Sequence, residues 1–228
     1  MIITYYGHAC FGLEDGKYCI LIDPWLKENP LVTHVPDGLS PNLILVTHGH
    51  PDHLGDTVEI AKQSGATIIS TPEVCYYCAK QGVKIDLVHY GGTLTFDFAT
   101  VTVVPAWHSS SISVGEDRVY AGNPCGFVIR LGGKAIYHAG DTCLFGDMRL
   151  IADRFVLDYA LLPIGDRFTM GPEDALKAVE LLRPRVVIPM HYDTFDYIVQ
   201  DVEAFRSAVE RRTISRCLIM KPGMTHQD

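Results

Sequence analysis

Basic residues are scarce in this chain relative to acidic ones. Its 228 residues include 19 Lys and Arg against 27 Asp and Glu, which gives a formal net charge of −8. Because non-specific nucleic-acid binders gain affinity by replacing phosphate counterions with Lys and Arg, this deficit argues against a nucleic-acid partner. A run of 18 apolar residues is missing, as is a basic N-terminal segment followed by an apolar stretch. We therefore expect no membrane partner and a cytoplasmic location.

Disulfide and linker patterns are missing as well. The seven Cys are odd in number and irregular in spacing, which argues against a disulfide framework in a chain of this length. A lone Cys75-x-x-Cys78 pattern is compatible with a redox motif or half of a zinc site, but no second pair accompanies it, and we expect core packing. No Ser/Gly/Pro-rich or like-charged block divides the chain, and 47% of its residues are hydrophobic. The sequence therefore predicts one domain over residues 1–228 with a sizeable core.

Strand patterns dominate the first two thirds of the sequence, and helices alternate with strands in the last third. Strands are predicted at residues 2–6, 9–14, 18–22, 42–47, 66–70, 87–90, 93–98, 101–105, 127–131, 135–137, 159–163, 186–189 and 217–220. Helices are predicted at residues 56–63, 145–155, 172–182 and 202–211. This order favours an α/β (α+β) fold class with two sheets and outer helices.

The most polar cluster of the sequence follows a short apolar segment. Three imidazoles and one carboxylate stand at the end of a predicted buried strand and before a helix, in the segment His48-Gly49-His50-Pro51-Asp52-His53. In an extended segment His48 and His50 project to the same side, so both can bind one cation. Asp52 and His53 follow a turn and can bind a second cation nearby. A surface loop with incidental polar residues is the alternative, but buried strands rarely end in three histidines.

The pattern His48-x-His50-x-Asp52-His53 resembles the signature of the metallo-β-lactamase superfamily. Further segments resemble motifs of that superfamily in the expected order: Tyr6-Gly7-His8-Ala9-Cys10, Ile22-Asp23-Pro24, 103–108, 137–142 and 188–191. Segments 162–165, 169–175 and 188–192 are similar to a subfamily of small metal-dependent hydrolases related to L-ascorbate 6-phosphate lactonase. The resemblance implies a four-layer αββα sandwich, in which two mixed β-sheets carry helices on their outer faces and the site lies at the sheet ends.

The same resemblance implies two divalent metal ions per chain. By position, the first would bind His48, His50 and His108, the second would bind Asp52, His53 and His191, and Asp141 would bridge both. Each ion then keeps an exchangeable position, as a catalytic site requires. His and Asp ligands suit Zn²⁺, our first expectation, and also Mn²⁺, Fe²⁺ or Ni²⁺. The relatives also suggest a homo-oligomer.

Two metals of this kind, about 3.5–4 Å apart, acidify a bridging water, so that a hydroxide nucleophile is available near pH 7. Two dications, two aspartates and one hydroxide sum to about +1, which favours an anionic small-molecule substrate despite the acidic chain. Motif and resemblance together predict a metal-dependent hydrolase of a small, anionic ester, lactone or phosphoester.

Beside the metals, the candidate catalytic residues are Asp52, His8 and His138. Either histidine is placed to donate a proton to the leaving group or to hold a metal ligand, and a hydrogen-bonded core histidine is an equal alternative. Arg167 and Tyr192 are candidate substrate-binding residues, the arginine because its loop precedes a predicted helix N-terminus. A solvated loop is the competing interpretation there. The other histidines lack supporting context and are expected in loops or at the surface: His34, His89 and His226.

Other classes share this motif. A phosphodiesterase or nuclease is the first alternative, although such relatives usually carry an RNA-gripping arm that does not fit in 228 residues. An iron-dependent oxidoreductase is the second; its diiron flavoprotein branch resembles HxExDH, whereas His50 stands at the Glu position here. True β-lactamases lack a His at position 53 and use a different residue at position 141. A non-catalytic scaffold predicts damaged ligands, and all seven are present.

Overall fold

The computed structural model describes residues 1–36 and 38–228. The β-branched and aromatic segments at the start of the chain form antiparallel strands joined by tight turns: β1 (Ile2–Gly7), β2 (Cys10–Asp15) and β3 (Tyr18–Ile22). In the turn between β2 and β3, Gly16 adopts φ of 60°, which a glycine tolerates without strain. The antiparallel opening follows directly from this local pattern.

Within the described residues, the first sheet has seven strands in the order β16-β1-β2-β3-β4-β5-β6, where the further strands are β4 (Leu43–Leu45), β5 (Thr67–Ser70), β6 (Lys84–Leu87) and β16 (Thr225–Gln227). Strands β3 to β6 run parallel, with Ile22 beside Leu45. The carboxyl ends of β3 and β4 therefore meet at one edge of this sheet.

The second sheet also has seven strands, in the order β15-β14-β13-β12-β11-β8-β7: β7 (Thr93–Thr95), β8 (Ala99–Pro105), β11 (Cys125–Leu131), β12 (Lys134–His138), β13 (Tyr159–Pro163), β14 (Val186–Met190) and β15 (Arg216–Cys217). Strands β12 to β15 are parallel, and β12, β11, β8 and β7 are antiparallel. Both sheets are thus mixed.

Helices cover the outer faces of both sheets: α1 (Pro51–Leu54), α2 (Thr57–Ser64), α3 (Pro72–Ala79), α4 (Met148–Arg154), α5 (Pro172–Leu182) and α6 (Val202–Arg212), with a 3-10 turn at Asp196–Ile198. Helix α5 has Pro at its start, two acidic residues in its first turn and an apolar face that is buried. None of the helices in the described part of the chain has the length and apolar character that crossing a bilayer requires.

Three buried clusters define the layers. Phe11 of β2 and Phe127 of β11 belong to the cluster between the sheets. Ile60 of α2 packs in a second cluster on the outer face of the first sheet, and Val179 of α5 packs in a third on the outer face of the second sheet. The layers therefore run helix, sheet, sheet, helix, which confirms the expected αββα arrangement.

Two strands that the sequence does not predict form a separate hairpin: β9 (Ser111–Val114) and β10 (Asp117–Tyr120). Strand β10 is exposed along its length, so it lacks the alternation of buried and exposed residues that marks a strand. The strand predicted at 87–90 was displaced, since the residues that pair with β5 are Lys84–Leu87. Short edge strand β16 also went unpredicted, because its pairing with β1 is a long-range contact.

The Cys75-x-x-Cys78 pattern lies on α3, and both thiols are free and buried. Burial raises the pKa of each thiol to about 12. A redox thiol needs an accessible, acidified sulfur, so this pair packs in the interior instead.

Candidate metal centre

The metal-binding side chains predicted from the motifs all lie at one edge of the sandwich, where strands of both sheets end. Residues 48–53 follow β4, and the other ligands follow three strands of the second sheet: His108 after β8, Asp141 after β12 and His191 after β14. Two hydrogen bonds tie two of these loops together, from Trp107 N–H to Thr142 Oγ1 at 3.0 Å and from Cys143 N–H to the Trp107 carbonyl at 3.1 Å. The loops that carry His108 and Asp141 are therefore held next to each other.

One group of three imidazoles comprises His48, His50 and His108. Nε2 of His48 lies 2.9 Å from Nδ1 of His50. The ring centroid of His108 lies 5.3 Å from that of His48 and 5.1 Å from that of His50. One nitrogen of each residue lies within 4.8 Å of the others, as the coordination of one cation requires.

A second group comprises His8, Asp52, His53 and His191, whose ligand atoms also lie within 4.8 Å of one another. Nε2 of His191 is 4.0 Å from Oδ2 of Asp52. His8 was not among the predicted metal ligands, and the geometry places it beside them.

Asp141 lies between the two groups. Its Oδ1 is 3.3 Å from Nε2 of His53, and its Oδ2 is 3.1 Å from Nε2 of His191. The same Oδ2 is 3.6 Å from Nε2 of His108, which belongs to the first group. A carboxylate in this position faces ligands of both groups, which is the arrangement that a bridging ligand needs.

Several buried atoms of this cluster have no hydrogen-bond partner among the described residues: Nε2 of His53, Oδ1 of Asp141, and both ring nitrogens of His191. Leaving a buried polar atom unpaired costs about 1–3 kcal/mol, so a native fold rarely keeps several together without a ligand. All of these atoms are metal-ligating types, and their His/Asp chemistry suits Zn²⁺, Mn²⁺, Fe²⁺ or Ni²⁺. The residues present therefore fit divalent metal ions.

Asp23, fully buried after β3, orients two of the histidines. Its Oδ2 accepts from His53 Nδ1 at 2.7 Å and from the Thr47 hydroxyl at 2.7 Å. Since that hydroxyl proton is donated to Asp23, Thr47 Oγ1 accepts the Nδ1 proton of His48 at 2.9 Å. Both imidazoles consequently keep Nε2 free of protons for a metal, one in each group.

The charges around His53 act together. Burial alone would lower its pKa, but the carboxylates of Asp141 and Asp23 hold the pKa of His53 well above its usual range. Burial lowers the pKa of His48, and the nearby His53 lowers it further, although the carboxylate of Asp141 opposes the shift. The two carboxylates thus favour positive charge at His53, which a divalent cation bound at Nε2 would supply.

His8 is buried and bonded at both nitrogens. Nε2 lies 3.2 Å from Asp52 Oδ2, and Nδ1 lies 2.8 Å from Thr194 Oγ1. Burial lowers the pKa of His8 to about 4, so the ring is neutral, and because an ionised carboxylate only accepts, Nε2 donates to Asp52. Burial would raise the pKa of Asp52, but the His8 hydrogen bond and the nearby His53 hold it low. His8 thus fixes the Asp52 carboxylate.

His138 is also buried, and both of its nitrogens bond to the backbone. Nε2 donates to the Ala9 carbonyl at 2.9 Å, and Nδ1 accepts from Gly140 N–H at 3.1 Å. Burial lowers the pKa of His138, consistent with a neutral ring. The geometry places this histidine behind the turn that carries Asp141, facing neither the open cleft nor a ligand.

An open cleft of about 580 Å³ lies over the cluster. Its floor is formed by His50, Asp52, His108, Asp141 and His191, and its walls include four aromatic residues, Trp25, Phe168, Phe195 and Tyr197, together with Arg118 and Glu28. The metal-binding edge is therefore open to a small molecule on one side.

Of the two predicted substrate-binding residues, Arg167 contacts aromatic side chains of the cleft wall, and Tyr192 is buried. The Arg167 guanidinium stacks over the rings of Phe168 and Tyr197, at 5.5 and 5.2 Å from their centroids. Tyr192 is buried in the cluster beneath the helices of the second sheet, and burial raises the pKa of its hydroxyl to about 12. Arg118, on the unpredicted hairpin, is the cation that contributes to the cleft wall among the residues described.

A family model described as a β-lactamase superfamily domain matches residues 2–191. This chain belongs to the β-lactamase superfamily. A UPF0173 metal-dependent hydrolase from Pelotomaculum thermopropionicum is 51% identical over 224 residues, covering 98% of each chain. One from Desulforamulus reducens is 52% identical over 227 residues, again covering 98% of each. The solved structure of Igni18, a metallo hydrolase from Ignicoccus hospitalis, superposes with a TM-score of 0.90 at 38% identity, covering 99% of this chain and 97% of that one.

For this member of the β-lactamase superfamily, the motifs identified the candidate metal ligands, and the structure identified the residues that support or surround them. Asp23 belongs to the motif Ile22-Asp23-Pro24, but its function was not apparent from the sequence. The one indication in the sequence is that this carboxylate directly follows an apolar strand. Thr47 and Thr194 carry no signal of their own, because a threonine is common in strands and loops. Arg118 carried none, because its hairpin is locally a polar, exposed segment.

The remaining histidines lie outside this centre. His226 lies in β16 at the far side of the first sheet, where Nε2 is 3.1 Å from the Tyr159 hydroxyl. His89 precedes β7, and its Nδ1 accepts from Tyr90 N–H at 2.9 Å. His34 lines a separate cavity at the edge of the first sheet.

Proposed function

We propose that this protein is a dinuclear metal-dependent hydrolase of small anionic esters, lactones or phosphoesters. The observation that carries the proposal is the position of Asp141, whose two oxygens face His53 and His191 on one side and His108 on the other. Unpaired buried ligand atoms beside an open cleft support the same conclusion. The relatives at about half identity carry the name metal-dependent hydrolase.

Each residue has a defined task in this proposal. One metal would be held by His48, His50 and His108 and the other by Asp52, His53 and His191, and both would share Asp141. When bound, such ions acidify water at neutral pH and withdraw charge from a carbonyl or phosphoryl oxygen. Zn²⁺ is the expected metal, and Mn²⁺, Fe²⁺ and Ni²⁺ suit the same ligands.

The chain's own residues orient this chemistry. Asp23 and Thr47 keep the ring nitrogens of His48 and His53 in the ligating protonation state. Asp52 is 29% exposed at the cleft floor, and His8 donates to its Oδ2, so its other oxygen is left to bind a metal ion or to accept a hydrogen bond from the attacking water. His8 acts through Asp52, as a positioning residue, because it is itself buried.

The cleft supports a small anionic substrate. Its volume of about 580 Å³ suits a small molecule rather than a folded polymer. Two divalent ions bring more positive charge than Asp52 and Asp141 neutralise, and Arg118 adds a guanidinium that can bind a carboxylate or phosphate in bidentate fashion. This local positive charge can attract an anionic substrate into the cleft although the whole chain has a net charge of −8.

The deciding experiment is elemental analysis of untagged protein purified without chelators, followed by a screen of lactones, carboxylic esters and phosphoesters with the metal found. We expect about two ions per chain and hydrolysis that chelator abolishes. Zero or one ion after incubation with Zn²⁺ and Mn²⁺ would contradict the dinuclear mechanism. Steeply salt-dependent cleavage of RNA would instead favour the nuclease alternative.

A further inference from the structure

Four aromatic side chains form a continuous row along one wall of the cleft, and this aromatic row is Trp25, Phe195, Tyr197 and Phe168. Successive ring centroids lie 6.0, 5.3 and 5.7 Å apart, within the range of direct aromatic contact. The row begins at the metal centre, because the rings of Trp25 and Phe195 lie 5.2 and 6.0 Å from the ring of His8.

The outer half of the row is exposed. Tyr197 is 50% exposed and Phe168 is 49% exposed, although both line the cleft. Aromatic side chains of this size usually bury most of their surface, and a cluster left open beside a reactive centre marks a binding surface. The Arg167 guanidinium stacks on both rings and holds them in place from one side. Their remaining surface is free for a ligand.

From this geometry we infer that the aromatic row binds an aromatic ring of the substrate, so that the molecule hydrolysed is an aryl-bearing anion. The inference rests on the proposed function for the reaction itself. The ring would stack against the exposed surface of Tyr197 and Phe168, the scissile group would lie over Asp52 and Asp141, and Arg118 would receive the anionic group.

An aliphatic substrate fits these observations less well. Apolar burial alone does not require aromatic residues, and among the described residues that line the cleft none is the leucine, isoleucine or valine that fills the cores of this protein. A row of aromatic side chains favours an aromatic ligand, because stacked and edge-to-face ring contacts contribute binding free energy beyond that of the buried apolar area. We therefore expect the aromatic row to bind an aromatic ring more tightly than an aliphatic ring of similar hydrophobicity.

The test compares two non-hydrolysable anions of similar size, phenylphosphonate and cyclohexylphosphonate, by isothermal titration calorimetry on the metal-loaded protein, at a pH above the second ionisation of both so that each is a dianion. Both present the same headgroup to the metals, so the ratio of their Kd values reports the ring alone. Binding is measured rather than turnover, because phenol and cyclohexanol differ as leaving groups. We expect phenylphosphonate to bind about three- to tenfold more tightly, the range that one stacked aromatic pair contributes beyond buried area.

The variants Tyr197→Leu and Phe168→Leu keep apolar side chains and remove the rings. Each should bring the Kd ratio toward one, and Tyr76→Leu is the matched control, since Tyr76 is 57% exposed on α3 and does not line the cleft. Circular dichroism melting checks that the variants fold, which the exposure of both rings leads us to expect.

Equal Kd values in the wild-type protein, tighter binding of cyclohexylphosphonate, or a ratio that survives both leucine substitutions would each overturn the inference. If esters are hydrolysed while the ratio of the two Kd values is one, the proposed function is supported and the inferred aromatic binding site is refuted. If phenylphosphonate binds more tightly but no ester, lactone or phosphoester is hydrolysed, the aromatic binding site is supported and the hydrolase proposal is refuted.

Discussion

The backbone N–H of His191 donates a 2.8 Å hydrogen bond to the carbonyl oxygen of His8, and the two imidazole centroids lie 3.9 Å apart. His8 follows β1 in the first sheet and His191 follows β14 in the second, so this bond joins the two sheets at the metal centre. Both residues have left-handed backbone, with φ of 58° and 56°. Such a conformation costs about 1–3 kcal/mol in a non-glycine residue, and it persists where the surrounding structure imposes it. The positions of both rings therefore depend on how the sheets pack.

Asp141→Ala should remove the carboxylate that faces both groups of ligands. We expect metal content to fall below two ions per chain and activity to fall by more than about 100-fold, beyond the loss typical of residues that only support a ligand. Elemental analysis and initial rates on the same preparation measure both effects. Normal turnover with two bound ions would refute the bridging role.

Removing the metals should destabilise the fold, because the ions bind the native state and compensate buried polar atoms. At a free metal concentration of about 100 times Kd the contribution is about 2.7 kcal/mol. For a chain of this size that corresponds to a fall in Tm of about 5–10 °C on chelation. Thermal melts with EDTA, and again after adding Zn²⁺ back, measure the shift. An identical Tm in all three samples would contradict the metal centre.

Thr47→Val should weaken metal binding about 10- to 100-fold, because it removes the hydroxyl that links Asp23 to His48 while keeping the shape of the side chain. Thr47→Ser retains the hydroxyl and is the matched control. Competition with a chromophoric chelator gives the affinities. Equal metal affinities for the valine and serine variants would exclude the relay from Asp23 to His48.

Gly165→Ala should displace His191, because a Cβ at position 165 would overlap the His191 carbonyl oxygen. Forcing a methyl group into such a contact costs about 1–3 kcal/mol. We expect a lower Tm together with reduced metal content. Gly146→Ala is the control, since a Cβ there meets no atom within 4 Å. If both alanine variants melt and bind metal alike, the contact between Gly165 and His191 is not limiting.

Arg118→Ala should raise KM for anionic substrates about five- to tenfold with little change in kcat, because its guanidinium lines the cleft where the substrate anion would lie. Arg167→Ala is the informative comparison. The sequence alone favours Arg167 as the anion clamp, whereas its side chain stacks on two aromatic rings. A KM that rises only in the Arg167 variant, for charged but not for neutral substrates, would restore the sequence-based assignment.

Local patterns were sufficient for most of the fold. Apolar runs and turn residues predicted 18–22, 159–163 and 172–182 with the bounds that the structure has. Two elements were missed for different reasons: the hairpin of β9 and β10 pairs locally but is mostly exposed, and the edge strand β16 depends on long-range pairing with β1. Their sequences are exposed and polar, so no periodic signal marks them.

The motif from His48 to His53, with His108, Asp141 and His191, indicated the family and the ligand types, and the sequence determined both. Only a few residue types can bind a metal ion. A six-residue segment with three imidazoles and one carboxylate rarely has a purely structural role. The supporting interactions were decided by the tertiary structure. Asp23 reaches Thr47 and His53 because β3 and β4 are neighbours in the first sheet, and Thr194 reaches His8 only because the ends of the two sheets converge. The cleft wall arises in the same way, because Arg118 and the aromatic row come from loops far apart in the chain, and local sequence does not specify which distant loops will meet.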